Sequence, residues 1–218
     1  MKRLLALMAI TAIFFSACQK KDDIPPQNTP VNGVSLSAPM KVDKANQSIT
    51  VLAIVNGKYL TENTRHAVVF KDGKFGDKPV FVALQNQNDF YKAMIDIGGV
   101  AGNNMTKENG ATTYVEGQKV SINVTWNGAP KSYDINEVIV DSNKRPIDMR
   151  FGGNETNSKE FNTGCIACLD SCSVGIISNQ AYTYGAVEKR NEVTFHGKAD
   201  ILPKDGTYIA VTFKLINE

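Results

Sequence analysis

Beyond about Val34 the chain alternates apolar and polar residues over short runs. Ser48 to Val55 places Ile49, Val51, Ala53 and Val55 on one side, and Lys119 to Trp126 does the same with Val120, Ile122, Val124 and Trp126. A period of two predicts strands with one buried face. Shorter runs at His66 to Lys71, Pro79 to Leu84, Glu137 to Val140, Ile147 to Phe151, Glu192 to His196 and Tyr208 to Leu215 read as further strands. Asn56-Gly57, Asp72-Gly73, Asn127-Gly128 and Asp205-Gly206 fall where runs stop, and such pairs supply the positive φ angles of tight turns. This punctuation predicts antiparallel meanders.

Two segments carry helical spacing instead. Asp89 to Ile97 sets Phe90, Ala93, Met94 and Ile97 on one face, with Asn88 or Asp89 as cap and Gly98-Gly99 as terminator. A second helix is expected to begin near Thr163 and to carry the cysteines that follow, limited to about three turns by Gly164 and Gly175. The fold class is therefore α+β and β-rich: antiparallel sheets or a sandwich with two short helices, one bearing the cysteine cluster.

The N-terminal segment has a different logic. Lys2 and Arg3 precede an apolar run from Leu4 to Phe15, and Ser16, Ala17 and Cys18 follow. That is the build of a secretory signal, too short for the roughly 20 residues of a spanning helix. Phe15-Ser16-Ala17-Cys18 resembles a bacterial lipobox, which makes Cys18 the lipidated first residue of the mature protein; the alternative is a plain secretory signal. Acyl chains contribute about 0.8 kcal/mol per buried methylene, so a multiply acylated Cys18 would anchor the chain in a membrane. The expected organisation is a signal peptide over 1–17, a flexible Pro-, Asn- and Gln-rich tether over 18–37 and one globular domain over 38–218. Gln19-Lys20-Lys21-Asp22-Asp23 resembles the surface-export tag of some Bacteroidota lipoproteins. The expected location is the cell envelope, anchored to the outer membrane on its periplasmic or outer face.

Charge changes this picture little. The 218 residues hold 24 Lys plus Arg against 22 Asp plus Glu, and Lys2 and Arg3 are the only charges in 1–17, so the remainder is balanced. With 42% hydrophobic residues the chain is neither disordered nor collagenous. It has no basic stripe for nucleic acid and no Walker, zincin, Gly-x-Ser-x-Gly or dinucleotide fingerprint. No catalytic set is assigned, and a monomer is expected.

The chemistry lies in Gly164-Cys165-Ile166-Ala167-Cys168-Leu169-Asp170-Ser171-Cys172. On a continuous helix the thiols of residues 165, 168 and 172 would point at about 0°, 300° and 340°, with the outer two about 10.5 Å apart along the axis. Thiolates sharing one zinc lie no more than about 4.6 Å apart. A straight helix therefore cannot bring all three to one ion, and the backbone must bend or only two thiols cooperate. In an oxidising compartment three thiols also leave one over after any disulfide. Three uses remain open. Cys165, Cys168 and Cys172 bind a metal, zinc or an iron–sulfur cluster, with His196 preferred to His66 as fourth ligand and with a redox partner protein. Alternatively the Cys-x-x-Cys pair forms a structural disulfide in a non-catalytic binding module, or it performs thiol–disulfide exchange.

Asn56-Gly57-Lys58-Tyr59, Thr64-Arg65-His66, Gly102-Asn103-Asn104, Arg150-Phe151-Gly152-Gly153-Asn154 and the run from Thr163 to Asn179 together resemble the YdjY-type domain of bacterial lipoproteins, from Pro39 to Leu215. That group is functionally uncharacterised, so the resemblance implies a domain boundary and no activity. Three weaker features complete the reading: Gly152-Gly153-Asn154 as a turn, Asp148 and Arg150 as an ion pair on one strand face, and Trp126, Tyr182 and Tyr184 as core residues or a stacking surface.

Overall fold

A computed structural model describes residues 29–217. The signal, Cys18 and most of the expected tether lie outside the described residues. Val31 and Val34, within the stretch read as tether, are buried against Leu52 and Ala210.

In chain order the strands are β1 Met40–Asp43, β2 Ser48–Val55, β3 His66–Phe70, β4 Phe81–Ala83, β5 Val120–Trp126, β6 Tyr133–Asp134, β7 Ile139–Asp141, β8 Met149–Phe151, β9 Cys165–Cys168, β10 Ile177–Asn179, β11 Phe195–Gly197 and β12 Tyr208–Leu215. Among the described residues three α-helices accompany them: α1 Gln87–Asp96, α2 Ile135–Val138 and α3 Glu155–Phe161, besides one 3-10 turn at Gly57–Leu60. The main sheet runs β6-β5-β12-β2-β4-β3-β9-β10-β8, with β1 added beside β2; β7 and β11 form a separate ribbon. A bridge between Lys119 and Arg150 brings the two ends of the sheet together, so the sheet curls around its core.

The two long alternating runs are β2 and β5, and β12 lies between them in antiparallel register, Val51 opposite Val211 and Val211 opposite Val124. Their inward residues join α1 through Phe90 and Met94 in one apolar core, where the rings of Phe90 and Phe213 meet edge to face at 4.7 Å. Burying side chains of this size contributes about 1.5–3 kcal/mol each, which is the main force holding the curled sheet to the helix. Helix α1 is capped by Asn86, two or three residues before the expected cap, and its Oδ1 accepts from the Asn88 N–H. Gly98, at φ +91°, ends it as expected.

Four expectations require correction. The sheet is mixed, because β3 pairs with β4 and β9 with β10 in parallel. Glu137 to Val138 belongs to α2, where Asp134 and Glu137 form a reciprocal capping box, and the strand begins only at Ile139. A third helix, α3, lies where none was expected. The cysteine segment is a strand: Asn162 and Gly164 adopt left-handed φ of 41° and 79°, which ends α3 and extends the chain before Cys165. Gly164 also packs on Gly73 so closely that a Cβ on Gly73 would sit 2.4 Å from its Cα.

Candidate metal centre

A Cys-x-x-Cys pair on a regular strand points its two thiols to opposite faces, because alternate residues face opposite ways. Strand β9 escapes this rule through two register shifts against β3: His66 pairs with Cys168, Val68 with Ala167 and Val69 with Cys165. Such bulges re-aim side chains. Ile166 and Ala167 both enter the main core, and so do Ala67 and Val68 on the facing strand. Cys165 and Cys168 are left together on the other side with Val69, and Cys172 completes this small cluster from the following loop. Phe75 and Val174 close over it.

His66 belongs to the same face. Its Nδ1 lies 3.6 Å from Cys165 Sγ, and the ligand atoms of His66, Cys165 and Cys168 all lie within 4.8 Å of one another. This group can hold a metal ion. All three residues are buried, as is Cys172, and among the described residues none of the three thiols is in a disulfide. His196 does not join them. It sits on β11 in the separate ribbon with β7, its Nδ1 2.9 Å from the carbonyl of Gly197, whereas β9 lies beside β3. The preference between the two histidines is therefore reversed.

The thiols differ in proton affinity. A hydrogen bond from Cys168, aided by His66 against the cost of burial, holds Cys165 well below the ordinary thiol value. A hydrogen bond from Cys168 lowers Cys172 to about 7, with the Arg65 guanidinium assisting. Cys168, donating to both and buried between them, is pushed up. Two thiols of lowered proton affinity flanking a third that donates to both form a site in which a cation can take a proton's place.

Several residues support the cluster from around it. Arg65 donates from Nε and Nη2 to Asp170 Oδ1, the Gly185 N–H donates to Asp170 Oδ2, and the guanidinium lies 4.5 Å from the Tyr184 ring centroid. Burial opposes the Arg65 charge, but Cys172 and Asp170 outweigh it and hold the guanidinium fully protonated. Asn154, in a left-handed conformation, donates from Nδ2 to the carbonyls of Cys172 and Gly175, and Asn157 donates to Ser173. These bonds pin the loop that carries Cys172. The sequence signal for them was the grouping of Thr64-Arg65-His66 and Gly153-Asn154 as distinctive tripeptide and turn, without a structural role attached.

Gly175 shapes the floor. A Cβ there would lie 2.9 Å from Cys168 Sγ and 3.0 Å from Ser178 Oγ, and that buried hydroxyl has no hydrogen-bond partner among the described residues. An unpartnered buried polar atom beside a thiol cluster is the kind of group that a bound species satisfies.

The remaining sequence features are dispersed. Asp148 and Arg150 form the expected ion pair, Nη2 to Oδ2 at 2.9 Å. Trp126 stacks on Tyr133, Tyr182 donates to buried Asp141 and Tyr184 holds Arg65, so each of the three aromatic residues has its own partner. Among the described residues no helix is long and apolar enough to cross a membrane.

No solved structure matches the chain. The YdjY domain model matches residues 40–214. The chain is 48% identical over 214 residues to the uncharacterized protein YdjY of Escherichia coli strain K12, an alignment covering 98% of this chain and 95% of that one. The protein belongs to the YdjY-domain family.

Proposed function

We propose that His66, Cys165 and Cys168, with Cys172 as fourth ligand, bind a single thiolate-preferring metal ion. The observation that carries this reading is the convergence of three ligand atoms within 4.8 Å. Ligands on one zinc ion span at most about 4.6 Å, so these three need only a small contraction, and Cys172 joins them by moving in from its loop. A Cys₃His set around a single ion also fits zinc better than a multinuclear iron–sulfur cluster, whose ligands spread over several irons.

The protein is further proposed to be exported and lipidated at Cys18 and held at the outer membrane. The support is the pattern from Lys2 to Cys18 and the polar stretch after it. Palmitate incorporation that disappears in Cys18→Ser tests this part.

The metal reading is tested by metal analysis and absorption spectroscopy of anaerobically purified protein. One equivalent of metal without visible sulfide-to-iron absorption is expected. Acid-labile sulfide would replace the single ion by a cluster, and metal far below stoichiometry would sink the reading.

A further inference from the structure

A cavity of about 430 Å³ opens beside the cysteine cluster, within the size range of small-molecule sites. Cys172 and His66 form part of its floor, and Lys74, Lys78, Lys107 and Lys189 stand around it. Arg65 also reaches it, but its charge is already matched by Asp170. Glu188 is the one acid in the lining, and among the described residues none of the four lysines makes an ion pair. The chain beyond its export signal carries equal numbers of basic and acidic residues, so this positive charge is a local feature and not a general basicity.

The walls are as distinctive as the charge. Phe75, Phe161 and Tyr184 line the cavity, and each lysine lies against one of these rings. Lys107 Nζ is 3.5 Å from the Phe161 centroid, Lys189 is 4.8 Å from Tyr184, and Lys78 and Lys74 are 5.2 and 5.8 Å from Phe75. Ring faces hold the ammonium groups at the rim while leaving each free to meet an anion. The rings themselves offer flat apolar surface to whatever enters.

We propose that this cavity is a binding site for a small organic anion with at least two negative charges on a flat, apolar body. The lysines take the charges and the rings take the body. The bound molecule lies directly over Cys172 and His66, which makes it the species that the metal centre meets. Concave shape separates this site from a nucleic-acid surface, which would present its charge as a stripe.

Calorimetry on the purified protein tests the proposal with three probes: naphthalene-2,6-dicarboxylate, its neutral diamide and inorganic phosphate. Saturable one-site binding of the dicarboxylate is expected, with the diamide and phosphate each weaker by about tenfold or more. The exposed double substitution Lys107→Gln/Lys189→Gln should weaken the dicarboxylate by about tenfold, and Phe161→Leu by a smaller factor, without altering metal content. No binding of the dicarboxylate, equal binding of phosphate, or indifference to the lysine substitutions would overturn it. Because the cysteines stay intact and metal is measured separately, a failure here leaves the metal reading standing, and the reverse also holds.

Discussion

Cys165 Sγ lies 3.6 Å from Nδ1 of His66, a residue 99 positions earlier in the chain. Two bulged strands create this contact by turning pairs of residues inward, Ala67-Val68 on one and Ile166-Ala167 on the other, so that the residues flanking them share the opposite face. The ligand set follows. Cys165→Ser and Cys168→Ser should each abolish stoichiometric metal, His66→Gln should weaken binding by about tenfold or more, and His196→Gln should change nothing. Metal content after dialysis against a mild chelator reads all four, and retained metal in Cys168→Ser would contradict the assignment.

The Arg65–Asp170 pair beneath Cys172 predicts a stability effect. Both side chains are almost fully buried. Removing one partner strands the other charge, so Asp170→Asn should cost about 3–5 kcal/mol in urea unfolding. Arg65→Lys keeps the charge but loses the forked geometry and the contact with Tyr184, and should cost less than Asp170→Asn while still destabilising.

Gly175→Ala probes the floor of the cluster. The added methyl would press on Cys168 Sγ and Ser178 Oγ at 2.9 and 3.0 Å. Metal affinity should fall by about tenfold while the far-ultraviolet circular dichroism is unchanged. Unaltered affinity would place the metal away from Cys168.

Alkaline unfolding should follow Tyr182. Burial and the hydrogen bond to Asp141 raise its phenol from 10.0 to about 12. The folded state therefore holds the phenolic proton more tightly than the unfolded state does. Its contribution is complete below pH about 10 and is lost as pH rises through about 12, on the order of 2 kcal/mol in all. Tyr182→Phe should be less stable at neutral pH and should lose less stability over that alkaline window than the parent protein, measured by urea unfolding at each pH.

Parts of the structure were legible residue by residue. The alternation in Ser48 to Val55 and Tyr208 to Leu215 marks β2 and β12 to the residue, because the main core lies on one side and the pattern records it, while Leu52 and Ala210 are covered on the other side by Val31 and Val34. The stripe of Phe90, Ala93 and Met94 marks α1 for the same reason. The cysteine segment reads as helical in sequence because Cys165, Cys168 and Cys172 repeat at intervals of three and four, the helical period. In the strand that same interval comes from a bulge followed by a loop, and periodicity cannot separate the two.

The choice of histidine was beyond local reasoning altogether. His66 and His196 each border an apolar run, and nothing near either one names its neighbour strand. The amino-acid sequence by itself determined the strands with one buried face, the α1 helix, the family resemblance and the presence of three close thiols, since each of these depends on residues adjacent along the chain. The tertiary structure decided that β9 pairs with β3, that His66 completes the thiol group and that four lysines gather at its mouth. Those relationships depend on strand order and register, and they are set by packing among segments up to about a hundred residues apart, which leave no periodic trace in any one of them.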